Sequence, residues 1–453
     1  ATDEQLDFPI IYSSAIQGFA TSDYHQPSDN MHILFDTIID KVKSPDVDES
    51  GPFQMQISAL DYSSYVGAIG IGRIKRGQIK ANSSISIVDA QGKQRQGRIL
   101  QLFNFLGLGR TEIEQAAAGD IVAVTGIDGL SISDTLCDPQ NIEQLPPLTV
   151  DEPTVSLTLQ VNNSPFAGKE GKYLTSRQLS ERLDRELISN VALRVEPLTS
   201  GDKFLLSGRG ELHLSILIET MRREGYEFAV SRPNVITKII DGIVNEPYEH
   251  LVVDVEENAQ GDIMQLLAER KAQLNDMQLD GKGRVKLDYV IPTRGLIGLH
   301  SRFITLTSGS GIMHHVFDHY GPQQNQTIKS RNRGVLISNC AGKTTGYALW
   351  NLEQRGKLFT TPQTEVYEGM IVGLHSREKD LVVNVTKEKQ LTNVRASGTD
   401  ENIVLTPATK MDLEDALNFI EDDELVEVTP QAIRLRKKFL KESDRRKASR
   451  DSN

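Results

Sequence analysis

The chain has 453 residues, 38% hydrophobic and 25% charged, a balance that excludes a disordered or fibrous protein and sets an expectation of about three domains. No apolar stretch reaches the roughly 18 residues of a membrane span, and Ala1-Thr2-Asp3-Glu4 has neither the basic nor the apolar part of a leader, so a cytoplasmic protein with no membrane partner is expected. A net charge of -12 argues against indiscriminate nucleic-acid binding, and two distant cysteines, Cys137 and Cys340, exclude a disulfide framework and a zinc cluster.

Phe8-Pro9-Ile10-Ile11-Tyr12 reads as a buried strand, and Ile33, Leu34, Ile38 and Val42 then make one face of a helix. A single strand-loop-helix unit cannot cover both faces of its strand, so residues 1–44 are expected to be the last piece of a parallel α/β domain. The absence of a starting Met agrees with a fragment. After a polar linker rich in turn residues, short alternating strands follow at Phe53 to Ile57, Val66 to Ile74, Ser84 to Val88 and Ile121 to Val124. They predict a β-barrel over 48–147, closed by Pro146-Pro147.

Over 150–236 the order becomes strand, helix (Ser176 to Leu187), strand, strand, helix, strand, which is a ferredoxin-like α+β arrangement. Residues 246–318 repeat the theme, with a strand from Leu251 to Val255, a helix from Ile263 to Ala272 and strands Val285 to Val290 and Phe303 to Leu306. The remainder, 322–453, is β-rich without a superfold pattern: strands are expected at Val335 to Ile337, Tyr347 to Leu352, Glu365 to Leu374 and Leu381 to Val385, and a short helix at Leu413 to Ile420. The fold class expected is thus multidomain β and α+β.

Within the first α+β unit, Ser207-Gly208-Arg209-Gly210-Glu211-Leu212-His213-Leu214 is a tight glycine turn feeding a helix. Leu214, Leu217, Ile218 and Met221 form its apolar face, Glu219, Arg222 and Arg223 face out, and Gly225 ends it. His213, among apolar neighbours, reads as a hydrogen-bonded structural histidine. Gly342-Lys343-Thr344 has the ending of a phosphate-binding loop. Ile337 stands where that loop needs glycine, however, and the following residues read as strand, so it is rejected. The glycine pairs at 107/109, 208/210, 281/283 and 309/311 lack the third glycine of a dinucleotide fingerprint. His314, His315 and His319 lie among glycines and read as a loop rather than a metal site. Asp254, Glu256 and Glu257 have no predictable partner, so no catalytic residue and no metal ligand is assigned.

Two basic regions remain. Lys387, Lys389 and Arg395 could meet phosphates while Thr392, Asn393 and Ser397 offer hydrogen bonds to sugars or bases, and a solvated hairpin loop accounts for the same composition equally well. Near the end, Glu421-Asp422-Asp423-Glu424 gives way to Arg434, Arg436, Lys437, Lys438, Lys441, Arg445, Arg446, Lys447 and Arg450. By itself this is more simply a solvated helix and tail.

The GxGELHL pattern with Met221-Arg222-Arg223-Glu224 resembles the third domain of translational GTPases of the elongation factor G class. Tyr65-Val66-Gly67 and Gly72 to Ile79 resemble the barrel that follows their nucleotide-binding domain, and Ser14-Ala15-Ile16 resembles their last guanine-contacting element. Elongation factor G inserts a whole domain between the two ferredoxin-like units, where this chain has only about ten residues. With Gly281-Lys282-Gly283-Arg284, Pro292 to Gly298 and Leu391 to Asp400, the whole chain resembles the BipA/TypA family of ribosome-associated GTPases, short of most of its GTPase domain.

The resemblance implies binding to the 70S ribosome or 50S subunit, to ribosomal RNA and to the acceptor end of an A-site tRNA, by a monomer active in large-subunit assembly and in stress or virulence adaptation. It places RNA contact at Lys387, Lys389, Thr392, Asn393 and Arg395, then at Arg434, Arg436, Lys437 and Lys438. The intact family uses GTP and Mg. This chain, without a P-loop or switch regions, is expected to hold neither and to hydrolyse no GTP alone. The alternatives are a LepA-type back-translocating factor and an independent GTP-binding enzyme.

Overall fold

The computed structural model describes residues 8–26, 28–44, 46–63, 65–107, 109–148, 152–198, 201–279, 281, 283–324, 331, 333–388 and 404–451, in two compact units divided after residue 148. The first opens with β1 (Tyr12–Ser14), β2 (Phe19–Thr21) and α1 (His32–Lys41). The buried parallel strand expected here is replaced by an antiparallel hairpin. Gly18, at φ 71°, donates its N–H to the Ser14 carbonyl (2.8 Å) and turns the chain back onto itself. Phe8, Ile10 and Tyr12 are exposed, and α1 buries no residue.

Ten strands complete this unit: β3 (Gln54–Ser63), β4 (Gly67–Arg76), β5 (Gln78–Lys80), β6 (Ser84–Val88), β7 (Gln94–Arg98), β8 (Leu102–Leu106), β9 (Gly109–Ile113), β10 (Gln115–Ala117), β11 (Ile121–Val124) and β12 (Thr135–Cys137). Eight pair in the order β7-β6-β12-β3-β4-β11-β8-β9, and β5 pairs β10 separately. Among the described residues no ladder joins β7 to β9, so the expected barrel is an unclosed sheet around one core that includes Met55, Ile57, Ile74, Ile87, Leu102, Val122 and Leu136.

The second unit begins with β13 (Val155–Val161), α2 (Ser176–Ser189), β14 (Arg194–Pro197), β15 (Lys203–Gly208), α3 (Glu211–Arg223), β16 (Phe228–Val230) and β17 (Asn234–Val235). Thr175 starts α2 with a reciprocal cap to Gln178. Helix α3 buries Leu214, Leu217, Ile218 and Met221, as their spacing predicts, and stops at Gly225, whose φ of 99° is easy only for glycine. The pairing β14-β15-β13-β16 is the ferredoxin-like order.

The same order recurs as β20-β21-β19-β22 in the next segment: β18 (Lys238–Ile240), β19 (Ile243–Glu256), α4 (Gln260–Glu269), β20 (Gln273–Leu279), β21 (Arg284–Pro292), α5 (Thr293–Leu296), α6 (Leu299–Leu306) and β22 (Ile312–Pro322). Two local expectations are corrected. Phe303 to Leu306 is helical, because Leu299 and Phe303, four apart, bury the same face of α6. The histidine segment is a full strand, β22, along β19; the glycine turn at Gly309 precedes it, and Gly321 lies flat against the Tyr248 ring.

The terminal segment comprises β23 (Val335–Ser338), β24 (Gly342–Lys343), α7 (Gly346–Glu353), β25 (Gly356–Leu358), β26 (Glu365–Val366), β27 (Ile371–His375), β28 (Leu381–Val383), α8 (Leu413–Phe419), β29 (Glu424–Val428), β30 (Ile433–Lys437) and α9 (Glu442–Asp451). Tyr347 to Leu352, expected as strand, is helix α7. The Thr345 hydroxyl accepts the Ala348 N–H (3.2 Å), and Ala348, Leu349 and Leu352 share the buried face. Strands β25-β27-β23-β28 form one sheet. Strand β29, however, pairs with β16, so β29 and β30 extend the sheet of the first ferredoxin-like unit. Leu206, Met221 and Phe228 share a core with Val335, Leu417 and Val428. Among the described residues no helix is long and apolar enough to cross a membrane.

Candidate nucleic-acid interface

Lys387 is the last but one described residue before position 404, and it is exposed. Its carbonyl accepts the Thr345 hydroxyl (2.6 Å), and the Thr345 N–H donates to the Val385 carbonyl (3.0 Å). Gly342 approaches Thr386 so closely that a Cβ there would lie 3.2 Å from its methyl group. Lys343 and Lys387, the next residue on each side of that contact, are both exposed on this shoulder. Trp350, the single tryptophan, is half exposed on α7, which starts from it. Lys389, Thr392, Asn393 and Arg395 lie outside the described residues.

The Gly-Lys-Thr step is followed by a helix after all, which removes one ground for rejecting a phosphate loop. The other grounds hold. Ile337 replaces the required glycine, and the Thr344 and Thr345 amides are spent on the Thr364 and Val385 carbonyls, leaving no cradle of free N–H groups. Ser14, Ala15 and Ile16 stand at the turn of the β1-β2 hairpin, with Ile16 fully exposed.

Three basic candidates are corrected, because their charges point inward. Arg434 donates to Glu170 and to Glu427 (3.2 Å), Arg436 is 1% exposed and donates to Asn163, and Lys437 reaches Asp380 (2.6 Å), Asp423 (2.8 Å) and Glu424 (2.9 Å). Burial alone would lower the Lys437 pKa, but Glu424, Asp423 and Asp380 hold it above its ordinary value. Strand period places Arg434 and Arg436 on one face of β30, where carboxylates and the Asn163 amide meet them; a linear basic run conceals this. Lys438, Lys441, Lys447 and Arg450 remain exposed.

The most specific motifs meet in space. Glu211 at the start of α3 accepts the Gly298 N–H (3.3 Å), and burial pushes its carboxyl pKa up. Arg270 donates to the carbonyls of Gly295, Ile297 and Gly298, and burial brings its pKa down to about 10. A Cβ on Gly295 would lie 2.7 Å from the Arg270 carbonyl. Gly295→Ala is therefore expected to loosen this junction by about 1–3 kcal/mol, read as a lower urea midpoint; an unchanged midpoint would show the contact to be slack. His213 accepts the Arg209 N–H at Nδ1 (3.3 Å), so Nε2 donates to Asn190 (3.0 Å), and burial lowers its pKa: it is structural. His315 pairs with Glu249 (2.6 Å) and His319 stacks on Tyr248; among the described residues no three His, Cys, Asp or Glu could hold a metal ion.

Three family models match in register with this architecture: elongation factor Tu domain 2 over 67–137, elongation factor G C-terminus over 243–331, and TypA/BipA C-terminal domain over 333–442. The "Large ribosomal subunit assembly factor BipA" of Escherichia coli (strain K12) is 58% identical over 450 residues, 99% of this chain and 74% of its own length. The chain belongs to the BipA family.

The proteins of the same name from Haemophilus influenzae (strain ATCC 51907 / DSM 11121 / KW20 / Rd) and Buchnera aphidicola (subsp. Acyrthosiphon pisum, strain APS) are 57% and 53% identical, over 99% and 100% of this chain and 73% and 74% of theirs. A solved structure from Thermus thermophilus is a distant likeness, at 17% identity and a TM-score of 0.43, covering 65% of this chain and 59% of its own. The LepA-type alternative is set aside. In this member of the BipA family the terminal match takes in Lys343, Trp350, Lys387 and all of β30.

Proposed function

We propose that the chain is the ribosome- and RNA-binding part of a BipA-type factor, acting in the cytoplasm on the large subunit, in its assembly and in translation. The relatives carry the name of large ribosomal subunit assembly factors. The single observation that carries the reading is the exposed Lys343-Lys387 shoulder, fixed to a buried sheet and helix at Thr345: binding residues are held best on rigid scaffolds.

In this reading Lys387, Lys389, Thr392, Asn393 and Arg395 contact ribosomal RNA or the acceptor end of an A-site tRNA, with Trp350 offering a stacking face and Lys438, Lys441, Lys447 and Arg450 a second basic surface. The protein works as a monomer, and its role extends to stress and virulence adaptation. In this reading these 453 residues, whose sequence has no phosphate loop, hold neither GTP nor Mg and hydrolyse no GTP alone.

The test is cosedimentation with 50S subunits across a salt series. Reversing Lys387, Lys389 and Arg395 to glutamate together should weaken binding at least about tenfold and flatten the logarithmic salt dependence by about two units. Unchanged sedimentation would remove the segment from the interface. Titration with a GTP analogue checks the rest, since tight binding would restore the independent GTP-binding enzyme as the better reading.

A further inference from the structure

Strands β23, β25 and β28 begin, and β27 ends, at the same end of the terminal sheet. Arg333 leads into β23, Arg355 into β25, and Arg377 and Lys379 lie in the turn between β27 and β28. Backbone bonds clamp these segments together. The Gly334 N–H donates to the Arg377 carbonyl, the His375 N–H to the Gly334 carbonyl and the Ser376 N–H to the Arg355 carbonyl, each at 2.8 Å. Gly334 also lies flat against Lys379, whose carbonyl carbon would be 2.3 Å from a Cβ there.

All four cations are exposed, and none makes an ion pair among the described residues. The neighbouring carboxylates are engaged elsewhere. Asp380 accepts the Val335 N–H (2.9 Å) and meets Lys437 (2.6 Å), and Glu353 accepts the Thr406 N–H (2.6 Å). The acidic run is answered by its own cations, Glu421 by Arg232, Asp423 by Lys437, and Glu424 by Arg331 and Lys437. Glu378 alone in the turn is left to oppose the four. In a chain of net charge -12 this is a local surplus of positive charge on a fixed frame. Residues 333, 355 and 376–380 include no aromatic side chain, so the surface can grip phosphates but cannot stack bases.

We propose that this end of the terminal sheet is a separate RNA-binding site, which holds the phosphate backbone of double-helical RNA without reading its sequence. The proposal rests on the reading of the chain as an RNA-binding factor but uses none of the residues named for it. The Lys343-Lys387 shoulder is at the opposite end of the sheet: the chain from Lys379 through β28 to Lys387 spans up to roughly 25 Å at about 3.3 Å per residue. Three of the four cations are arginines, whose forked donors match paired phosphate oxygens. The chain thus grips RNA at two points, a backbone clamp at one end of the sheet and the shoulder at the other.

Fluorescence anisotropy of the full chain with a labelled RNA duplex of about 12 base pairs, across a salt series, tests this. Arg333→Gln, Arg355→Gln, Arg377→Gln and Lys379→Gln combined should weaken binding at least about tenfold and flatten the logarithmic salt dependence by about three units. Arg333→Lys, Arg355→Lys and Arg377→Lys combined keep the charge and should keep the salt dependence. A duplex of unrelated sequence should bind equally well. Unchanged affinity in the glutamine variant, salt-independent binding by the parent chain, or a preference for one sequence would each overturn the proposal. Polyglutamate competing as well as unlabelled duplex would assign the surface to an acidic protein instead. Lys343→Gln with Lys387→Gln should leave duplex binding unchanged. If that pair alone abolished it, this site would fall while the proposed function stood; lost duplex binding in the glutamine variant with 50S binding indifferent to the shoulder would give the reverse.

Discussion

Glu424→Ala is expected to lower the unfolding free energy by about 3 kcal/mol, the lower end of what removing one partner of a buried ion pair costs. The carboxylate is fully buried and takes two bonds from Arg331 (2.7 and 2.5 Å) and one from Lys437 (2.9 Å). Truncation would strand the guanidinium in the interior. Lys437 keeps Asp380 and Asp423, and Arg331 keeps the Phe419 carbonyl, which is why the upper end of the range is not expected. Urea unfolding is the measurement, and a shift below about 1 kcal/mol would show that the pair carries little.

The same group predicts a pH dependence. Burial acts to raise the Glu424 pKa, but Arg331 and Lys437 outweigh it and hold the carboxyl below its ordinary value of 4.5. Unfolded chains therefore take up this proton first as pH falls. The stabilisation is complete above about pH 5 and is lost as pH drops through 4.5 toward the folded value, and Glu424→Ala should flatten that limb of the stability curve.

Phe228→Ala is expected to cost about 3–5 kcal/mol, the usual range for emptying a fully buried aromatic site. Its strand, β16, lies between β13 and β29. Its ring belongs to a core shared by residues on both sides of the second ferredoxin-like unit. Hydrogen exchange should accordingly show amides of β13 and β29 losing protection together in the variant. Loss confined to β29 would mean that the two segments hold separate cores despite their common sheet.

The two ferredoxin-like units were legible because each alternates strands with helices of clear 3.6-residue period, as Leu214, Leu217, Ile218 and Met221 illustrate. Short apolar runs were not. Tyr347-Ala348-Leu349-Trp350 fits a strand or a helix equally, and the Thr345 cap decides it. The barrel was over-read, since turn-separated strands specify a curved sheet but not whether its ends meet. Arg434, Arg436 and Lys437 read as a basic tail because their partners Glu170, Glu427, Asp380 and Glu424 are mostly remote in sequence. Of the site, the signature motifs could be recognised separately, but not that Glu211 of one would bind Gly298 of the other.

The pairing of β16 with β29 joins residues about 200 positions apart, and this sets an order for synthesis. When β16 leaves the ribosome, the strand that will cover its open edge has not yet been made, and the whole second ferredoxin-like unit must be translated first. During that interval the nascent first unit presents an uncapped β-edge beside apolar residues that await Leu417, Val426 and Val428. A polypeptide truncated just before β29 should thus be far more prone to aggregate than one carried through β30, and the emergence of β29 and β30 is the step that closes this exposure.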